Sequence, residues 1–366
     1  MADAFVCYPL RAIGGLMAGI EIRDYEGDFE DVVELTRRVW VPEYSGQTWV
    51  PIPDAAFLRW KLAPRSGAVC PVAYEGTKLV GTVFSIPHAL RIGDSVYPVA
   101  MCTGFTVDPE HRRLALPLIE RLRRAGEERG LAFGIGMVLD DPKSASYRFW
   151  TKYADAFPQN FRFVFRGGYW AKFLDPHVLS RAGIEVWERI ASRTLGPVLR
   201  FTPYGYCKNV RPYRAADLER CTQMVEKTSA SLDWAMSWKQ EQLSAQLENP
   251  EYTTFVLERD GKIRGMVNSH CLSLQGRELI RAAMIDLWTD DEMTGSERVR
   301  LLSHLCTYLC EHDVHGVVAA RSAVMPARAF LANLFVPAAQ KFRIGVFPTQ
   351  RTICFTPPKT WNLEIT

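Results

Sequence analysis

The sequence predicts an α/β chain built as two similar halves. Three observations carry this reading. Apolar, strand-like runs alternate with amphipathic helical segments along the chain. Residues 101–129 join a β-prone run to an amphipathic helix through a basic turn, a local arrangement suited to holding an anion. The pattern of the first half then returns: Val210-Arg211-Pro212-Tyr213 answers Ile22-Arg23-Asp24-Tyr25, and residues 261–269 answer residues 77–85 at a near-equal spacing.

A chain of 366 residues suits two domains of ordinary size. Hydrophobic content of 48% and charged content of 23% are those of a soluble globular chain. A net charge of +3 gives no case for nucleic acid. No segment approaches the roughly 20 apolar residues of a membrane span, and the N-terminus lacks the basic start of a signal peptide. The nine cysteines are scattered, which fits free thiols in a reducing cytoplasm. Cys306 and Cys310, with His304 and His312 nearby, resemble a metal cluster only in spacing. The histidines point away from the cysteine pair on a helix, so buried thiols are expected and no metal.

In chain order, residues 1–19 form an extension. Residues 20–25 alternate as a strand, and 28–38 repeat as a helix through Phe29, Val32, Val33 and Leu35. Trp40-Val41-Pro42-Glu43-Tyr44 and Trp49-Val50-Pro51-Ile52-Pro53 are aromatic and proline-rich without a helical period, which reads as a packed loop. Residues 71–74 and 78–86 are strands joined at Glu75-Gly76, and 96–107 is the next strand. Leu118, Ile119, Leu122 and Ala125 share one helical face. Residues 131–138 are apolar on both faces, as a central strand should be. A helix over 142–153 follows, then strands over 161–166 and 169–174 as a hairpin across Gly167-Gly168. A linker carries a helix over 178–192. In the second half, 282–288 is the central strand and 298–313 the helix, with Leu302, Leu305, Cys306 and Leu309 inward. The expected domains are 20–175 and 208–357, with a linker at 176–207 and a tail at 358–366.

The turn at the centre of the first half reads Val107-Asp108-Pro109, then Arg112-Arg113-Leu114-Ala115-Leu116-Pro117. This resembles the signature of the GNAT superfamily of acyl-CoA N-acyltransferases, in which a strand ends in Val-x-Pro and Arg/Gln-x-x-Gly-x-Gly/Ala opens the helix. Ala115 stands for the first glycine. Pro117 stands for the second small residue and has no N–H to donate. The resemblance implies two tandem GNAT-like domains, each a mixed central sheet flanked by helices, with acetyl-CoA or another acyl-CoA as co-substrate. Arg59-Trp60-Lys61 and Pro142-Lys143-Ser144-Ala145-Ser146 resemble a subgroup found with polysaccharide assembly, which implies an amino sugar as acceptor. In the fold so implied, the segment around Trp40 and Trp49 lies beside the acceptor pocket.

Such a reaction needs donors for a pyrophosphate, a strand edge for the pantetheine arm, a base for the amine and an acid for the thiolate. The resemblance assigns the pyrophosphate to the amides of Leu114, Ala115 and Leu116, helped by Arg112 and Arg113. Arginines at a helix start oppose its dipole, by about 0.3–1 kcal/mol each, unless an anion is bound. Phe105, Thr106 and Val107 offer the strand edge, and Lys143 and Ser146 sit where the family meets the cofactor. Trp150 occupies the position of a frequent tyrosine acid and cannot serve as one. Tyr147 and Tyr153 lie close to one turn away on either side and are the candidates in its place. Met101 and Thr103 hold positions that carry a glutamate base in some relatives, which leaves His88 as the titratable group nearest the expected pocket.

In the second half the corresponding turn, residues 289–297, carries Asp290, Asp291, Glu292 and Glu297, whose charges repel a pyrophosphate unless neutralised. The expected function is therefore acyl transfer, most simply acetyl, to a primary amine of a small molecule or sugar, with the cofactor in the first half. The alternatives are a non-catalytic binding or scaffold protein, and transfer of an aminoacyl group from a charged tRNA.

Overall fold

In the computed structural model, which describes residues 19–62, 67–194, 198, 200–349 and 355–363, the two halves repeat one order of elements. The first runs β1 (Ile20–Asp24), α1 (Glu30–Tyr44), β2 (Val50–Ile52), α2 (Ala55–Leu62), β3 (Pro71–Glu75), β4 (Lys78–Ile92), β5 (Ser95–Val107), α3 (Ala115–Glu128), β6 (Phe133–Leu139), α4 (Ala145–Ala156) and β7 (Arg162–Phe173). Helices α5 (Pro176–Ala182) and α6 (Val186–Thr194) follow. The second half runs β8 (Val210–Pro212), α7 (Leu218–Ala230), β9 (Trp234–Ser237), α8 (Gln240–Leu247), β10 (Tyr252–Arg259), β11 (Lys262–Gln275), β12 (Leu279–Asp290), α9 (Gly295–Glu311), β13 (Gly316–Ala320), α10 (Ala327–Ala332) and β14 (Val336–Pro348). A short β15 (Trp361–Asn362) ends the described chain.

All the strands join one mixed sheet, ordered β1-β3-β4-β5-β6-β14-β7-β13-β12-β11-β10-β8 along its main path. The order reads alike from both ends, except at the centre. There each half gives its last strand to the other: β14 pairs with β6, and β7 pairs with β13. The connectors are exchanged as well. β2 pairs with the far end of β11, and β9 with the far end of β4.

The central exchange corrects the expected hairpin over Gly167-Gly168, because β7 runs straight through both glycines. They serve close approach rather than a turn. A Cβ on Gly167 would lie 2.1 Å from the Phe342 ring of β14, and one on Gly345 of β14 would lie 2.2 Å from Phe161. Each half thus lays an aromatic ring over a glycine of the other half's crossing strand, Phe342 from β14 and Phe161 from just before β7.

Other expectations shift for local reasons. Trp40 to Tyr44 is helical, since α1 continues through Pro42 and its last turn is tied to α4. The linker helix is two helices. Gly183 ends α5 by donating to the Leu179 carbonyl, and the Glu188 carboxylate accepts from the Ile184 and Glu185 amides to start α6. The expected tail is tied in, because β15 pairs with β9 and Trp361 and Leu363 are buried. Cys306 is buried but Cys310 is exposed. The extension over residues 1–19 lies almost wholly outside the described residues.

The predicted helical faces are the buried ones: Leu118, Ile119, Leu122 and Ala125 on α3, and Leu302, Leu305, Cys306 and Leu309 on α9. One cluster spans both halves, joining Leu90, Val99, Phe133 and Ile135 to Trp234, Met236, Val256 and Leu287, with Phe342, Ile344 and Val346 of β14 between them. The halves therefore share a core.

This predicts the behaviour of a truncated chain ending at Asp175. It loses β14 from the edge of β6 and β9 from β4, and it exposes the shared core. It should aggregate, or melt without cooperativity, in size-exclusion and calorimetric runs. A monomeric, cooperatively melting first half would contradict the shared core.

Candidate functional site

β5 carries an irregularity that shapes the site. Against β4 its register runs Gly81↔Val107, Thr82↔Thr106, then Phe84↔Thr103, so Gly104 and Phe105 together face Val83. This is a β-bulge. Gly104 has φ +63°, and a Cβ there would come within 2.3 Å of the Phe84 ring. Backbone and neighbour both require glycine.

Just before the bulge β5 parts from β6. Their parallel pairing covers only Val99↔Phe133 to Cys102↔Gly136, while β5 runs on to Val107 and β6 to Leu139. The parallel strands are thus unpaired over their ends and leave an opening in the ladder, with Phe105, Thr106 and Val107 on its β5 side. Thr106 is buried, and its hydroxyl lacks a hydrogen-bond partner.

Asp108 anchors the turn that follows. Its N–H donates to the Val80 carbonyl at 2.9 Å, and its carboxylate accepts from the Glu110 amide at 3.1 Å. Arg38 and Lys78 stand 3.4 and 3.6 Å from the same carboxylate. Burial pushes this carboxyl up, but the Glu110 amide and the two cations outweigh it and hold the group below the usual carboxylate range. A 3-10 turn over Pro109–Leu114 then leads into α3. Arg112 and Arg113 are exposed on that turn, Leu116 is partly exposed, and Leu114 and Ala115 are buried. The Ala115 amide donates to the Arg112 carbonyl, so it is committed within the turn. No side chain caps α3 itself and no acid lies in its own first turn; the nearest cap is Asp108, at the start of the 3-10 turn that runs into it.

The other predicted contacts gather at the start of α4. Ser144 caps this helix by accepting from the Tyr147 amide at 3.1 Å. The Ala145 amide donates to Glu43 at 3.1 Å, and Tyr44 takes a backbone hydrogen bond from Ser146. The end of α1 thus docks on the start of α4. Lys143 is exposed beside it, and Ser146 is half-buried.

The structure separates the three catalytic candidates. The Tyr147 oxygen accepts from Arg343 at 3.1 Å; that guanidinium also bonds Asp140 at 2.6 Å and lies over the Tyr147 and Phe163 rings. Arg343 belongs to β14, so Tyr147 is held one strand beyond β6. Tyr153 is buried among aromatic rings with Asn160 as its hydrogen-bond partner, and burial pushes its phenol up. Trp150, also buried, reaches Phe105 at 5.3 Å and Phe347 at 5.3 Å between ring centres. Phe149 reaches Phe105 at 5.6 Å. Rings from α4 thus line the opening on the side of Phe105. His88 is not brought to it. It lies opposite Val99, where β5 and β6 are still paired, and packs edge-on to Trp238 of the second half.

The second half repeats the bulge and closes the turn. β12 bulges at Asp286, since Asn268↔Leu287 is followed by Ser269↔Ile285. Its pairing with β13 stops at Ile285↔Ala319. The acidic turn that follows is fully paired: Asp290 with Arg298, Asp291 with Arg220 and Lys227, Glu292 with Arg264, and Glu297 with Arg259. Glu297 and Thr294 form a reciprocal capping box at the start of α9. A side-chain carboxylate therefore occupies the place that α3 leaves uncapped.

Comparison with known families meets this geometry. Residues 21–142 match the model described as an acetyltransferase (GNAT) domain. The chain carries a GNAT domain. No curated protein sequence matches the chain significantly. Among solved structures, N-myristoyltransferase of Saccharomyces cerevisiae with bound myristoyl-CoA is similar at 14% identity and a TM-score of 0.70, over 94% of this chain and 80% of that one. The same enzyme with myristoyl-CoA and inhibitors matches at 13% identity and a TM-score of 0.71, over 98% and 83%. A GCN5-related N-acetyltransferase from Anabaena variabilis matches at 11% identity and a TM-score of 0.51, over 90% and 73%. At these identities the likeness is one of fold: two GNAT-fold domains in tandem across nearly the whole chain.

Several residues around the GNAT domain were not legible as site residues. Gly104 was, in principle, because an isolated glycine in a strand marks a bulge. Glu43 and Tyr44 were marked only as part of the aromatic segment beside the expected acceptor pocket, and Arg343 gave no signal, since each acts through a contact distant in sequence. Nor did the buried pair of His270 and Asp286, 2.5 Å apart under the Phe57 ring of α2.

Asp108 gives a pH prediction. Its folded pKa lies below the ordinary value, so its charge stabilises the native chain at neutral pH. That contribution is lost as the pH falls through the folded pKa. Asp108→Asn should cost about 1 kcal/mol at pH 7, and its deficit should shrink as the pH falls below about 4. Denaturant unfolding of both proteins at pH 7 and pH 3 measures this; an unchanged deficit in acid would show that the charge is not the source.

Proposed function

We propose that this chain is an acyl-CoA-dependent N-acyltransferase that moves an acetyl group to a primary amine of a small molecule or amino sugar. The observation that carries the proposal is the contrast between the two helix starts. α3 opens uncapped behind a bulged β5 that parts from β6, with Arg112 and Arg113 exposed beside it, whereas α9 is closed by Glu297. The cofactor site is assigned to residues 20–175, and residues 208–357 to a supporting domain. Phe105, Thr106 and Val107 would line the pantetheine arm. The turn from Arg112 to Leu116 would meet the pyrophosphate, with Lys143 and Ser146 nearby.

The rings of Phe105, Trp150 and Phe347 packed along the opening support a short acyl group over a long one. In the reaction the neutral amine attacks the thioester carbonyl, the C–N bond forms and the C–S bond breaks. The ammonium proton leaves through water, and the thiolate takes a proton. Tyr147 is the preferred acid: because Arg343 can only donate, the Tyr147 O–H must point elsewhere. Free thiols at the described cysteines agree with a reducing cytoplasm. Among the described residues no helix is long and apolar enough to cross a membrane.

One observation favours a non-catalytic binding role: the Ala115 amide is already spent and Pro117 has none, which leaves a thinner anion site than the family pattern implies.

Thermal shift with acetyl-CoA separates these readings. Saturation at 100 times the dissociation constant should add about 2.7 kcal/mol of stability. The double change Arg112→Glu with Arg113→Glu should abolish the shift without unfolding the chain. Retained binding in that variant would put the cofactor elsewhere, and no shift in the parent with acetyl-CoA or myristoyl-CoA would favour the binding role.

The helix α4 gives a second test. Trp150→Phe should cost on the order of 1 kcal/mol of stability and leave turnover within severalfold. Tyr147→Phe should lower kcat about a hundredfold or more if its proton goes to the thiolate, and Tyr153→Phe should not. The reverse ranking would move the acid to Tyr153.

A further inference from the structure

The large apolar side chains left exposed concentrate, among the described residues, in the connection between the halves. Val186 and Ile190 lie one turn apart on α6, and Phe201 and Tyr204 follow, all between 46% and 60% exposed. Leu331 and Val336, at 54% and 41%, join them from the second half. Lys172 ties the two groups together, since its Nζ donates both to the Phe201 carbonyl at 2.9 Å and to the Asn333 carbonyl at 2.7 Å. Arg200 beside Phe201 pairs with Asp175 at 3.2 Å, next to α5, which packs on α6.

The charges around this surface are mostly positive, although Arg200 is paired with Asp175 and Glu185 is exposed at the start of α6. Residues 185–208 hold Arg189, Arg193, Arg200 and Lys208 against two acids, Glu185 and Glu188. Glu188 is buried and turned inward to the Ile184 and Glu185 amides, which leaves Arg193 and Lys208 as exposed cations of the stretch, with Arg200 exposed but paired to Asp175. Arg300 on α9 adds another, with its guanidinium 5.1 Å from the centre of the Tyr204 ring, and Arg328 on α10 is exposed nearby. The whole chain carries a net charge of only +3, so this is a local bias.

Exposed aliphatic side chains on a short amphipathic helix, aromatic rings beside them and surrounding arginines match the chemistry of a bilayer interface. The apolar groups enter the acyl boundary, the rings sit at headgroup depth and the cations meet lipid phosphates. We propose that this surface docks the protein peripherally on an anionic lipid bilayer. With no spanning helix among the described residues, the contact is reversible and depends on salt. Exposed charge alone would suit many acidic partners, but six unburied apolar side chains among those cations favour lipid over a polar polyanion.

Sedimentation with vesicles tests this on the full chain and needs no enzymatic readout, so its outcome is separate from the acyl-transfer proposal. At low salt the protein should bind vesicles of phosphatidylglycerol at least tenfold better than vesicles of phosphatidylcholine, and 0.5 M salt should remove most of the binding. The variant Ile190→Asp with Phe201→Asp changes only exposed positions, so it should fold and bind at least tenfold more weakly. Arg193→Glu with Lys208→Glu should lose the preference for the anionic lipid. Absence of binding to phosphatidylglycerol at low salt would overturn the proposal, as would unchanged binding of the aspartate variant. A parent dimer that the aspartate variant converts to monomer would also overturn it, by showing that a second copy covers this face.

Discussion

The pairing of β7 with β14 is the contact on which the rest of this molecule depends. Each strand belongs by sequence to one half and by hydrogen bonding to the other half's sheet. Two glycines make the crossing possible, since Phe342 lies across Gly167 and Phe161 across Gly345. With the exchange in place the sheet has no internal edge between the halves, and the apolar residues of β14 become the middle of a common core. The exchanged connectors β2 and β9 repeat the arrangement further out, so four strands in all cross the pseudo-symmetric boundary.

That constraint reaches the candidate site. The strand next to β6, which forms one side of the opening, comes from the second half. It brings Arg343 to Tyr147 and Phe347 to Trp150. The first half contributes the bulge, the turn and the uncapped helix; the second contributes the wall behind them. The duplicated elements have diverged at the turn before the helix. In one copy an aspartate anchors a basic turn. In the other, four carboxylates are each neutralised by a basic side chain, and the helix start is occupied by a capping box. The same backbone thus leaves one helix start without a side-chain cap and closes the other with a capping box.

Much of this was legible in the sequence, and the boundary of legibility has a physical cause. Periodicity found the buried faces of α3 and α9, because a helix packed on a sheet must show its apolar stripe. The repeat found the duplication. Val107-Asp108-Pro109 and the arginines located the strand-to-helix turn, since such a turn is encoded in local backbone. What failed was every reading in which a local signal serves a distant contact. Gly167-Gly168 has the composition of a turn but makes room for a ring more than 170 residues away in the chain. Pro42 reads as a helix breaker, yet the last turn of α1 is held by the amides of α4. His88 reads as a pocket histidine, whereas Trp238 of the second half packs against it.

The exchanged strands also bear on how the protein is made. A ribosome delivers β6 long before β14, and the intervening stretch of about 200 residues takes roughly 10–40 s to translate. Through that interval the nascent first half has an open strand edge beside an incomplete apolar face, the features that favour pairing with another chain. Its proper partner is the end of the same polypeptide. Chaperone protection during synthesis, and a burden of misassembly when translation is slowed or prematurely ended, follow from the strand order alone.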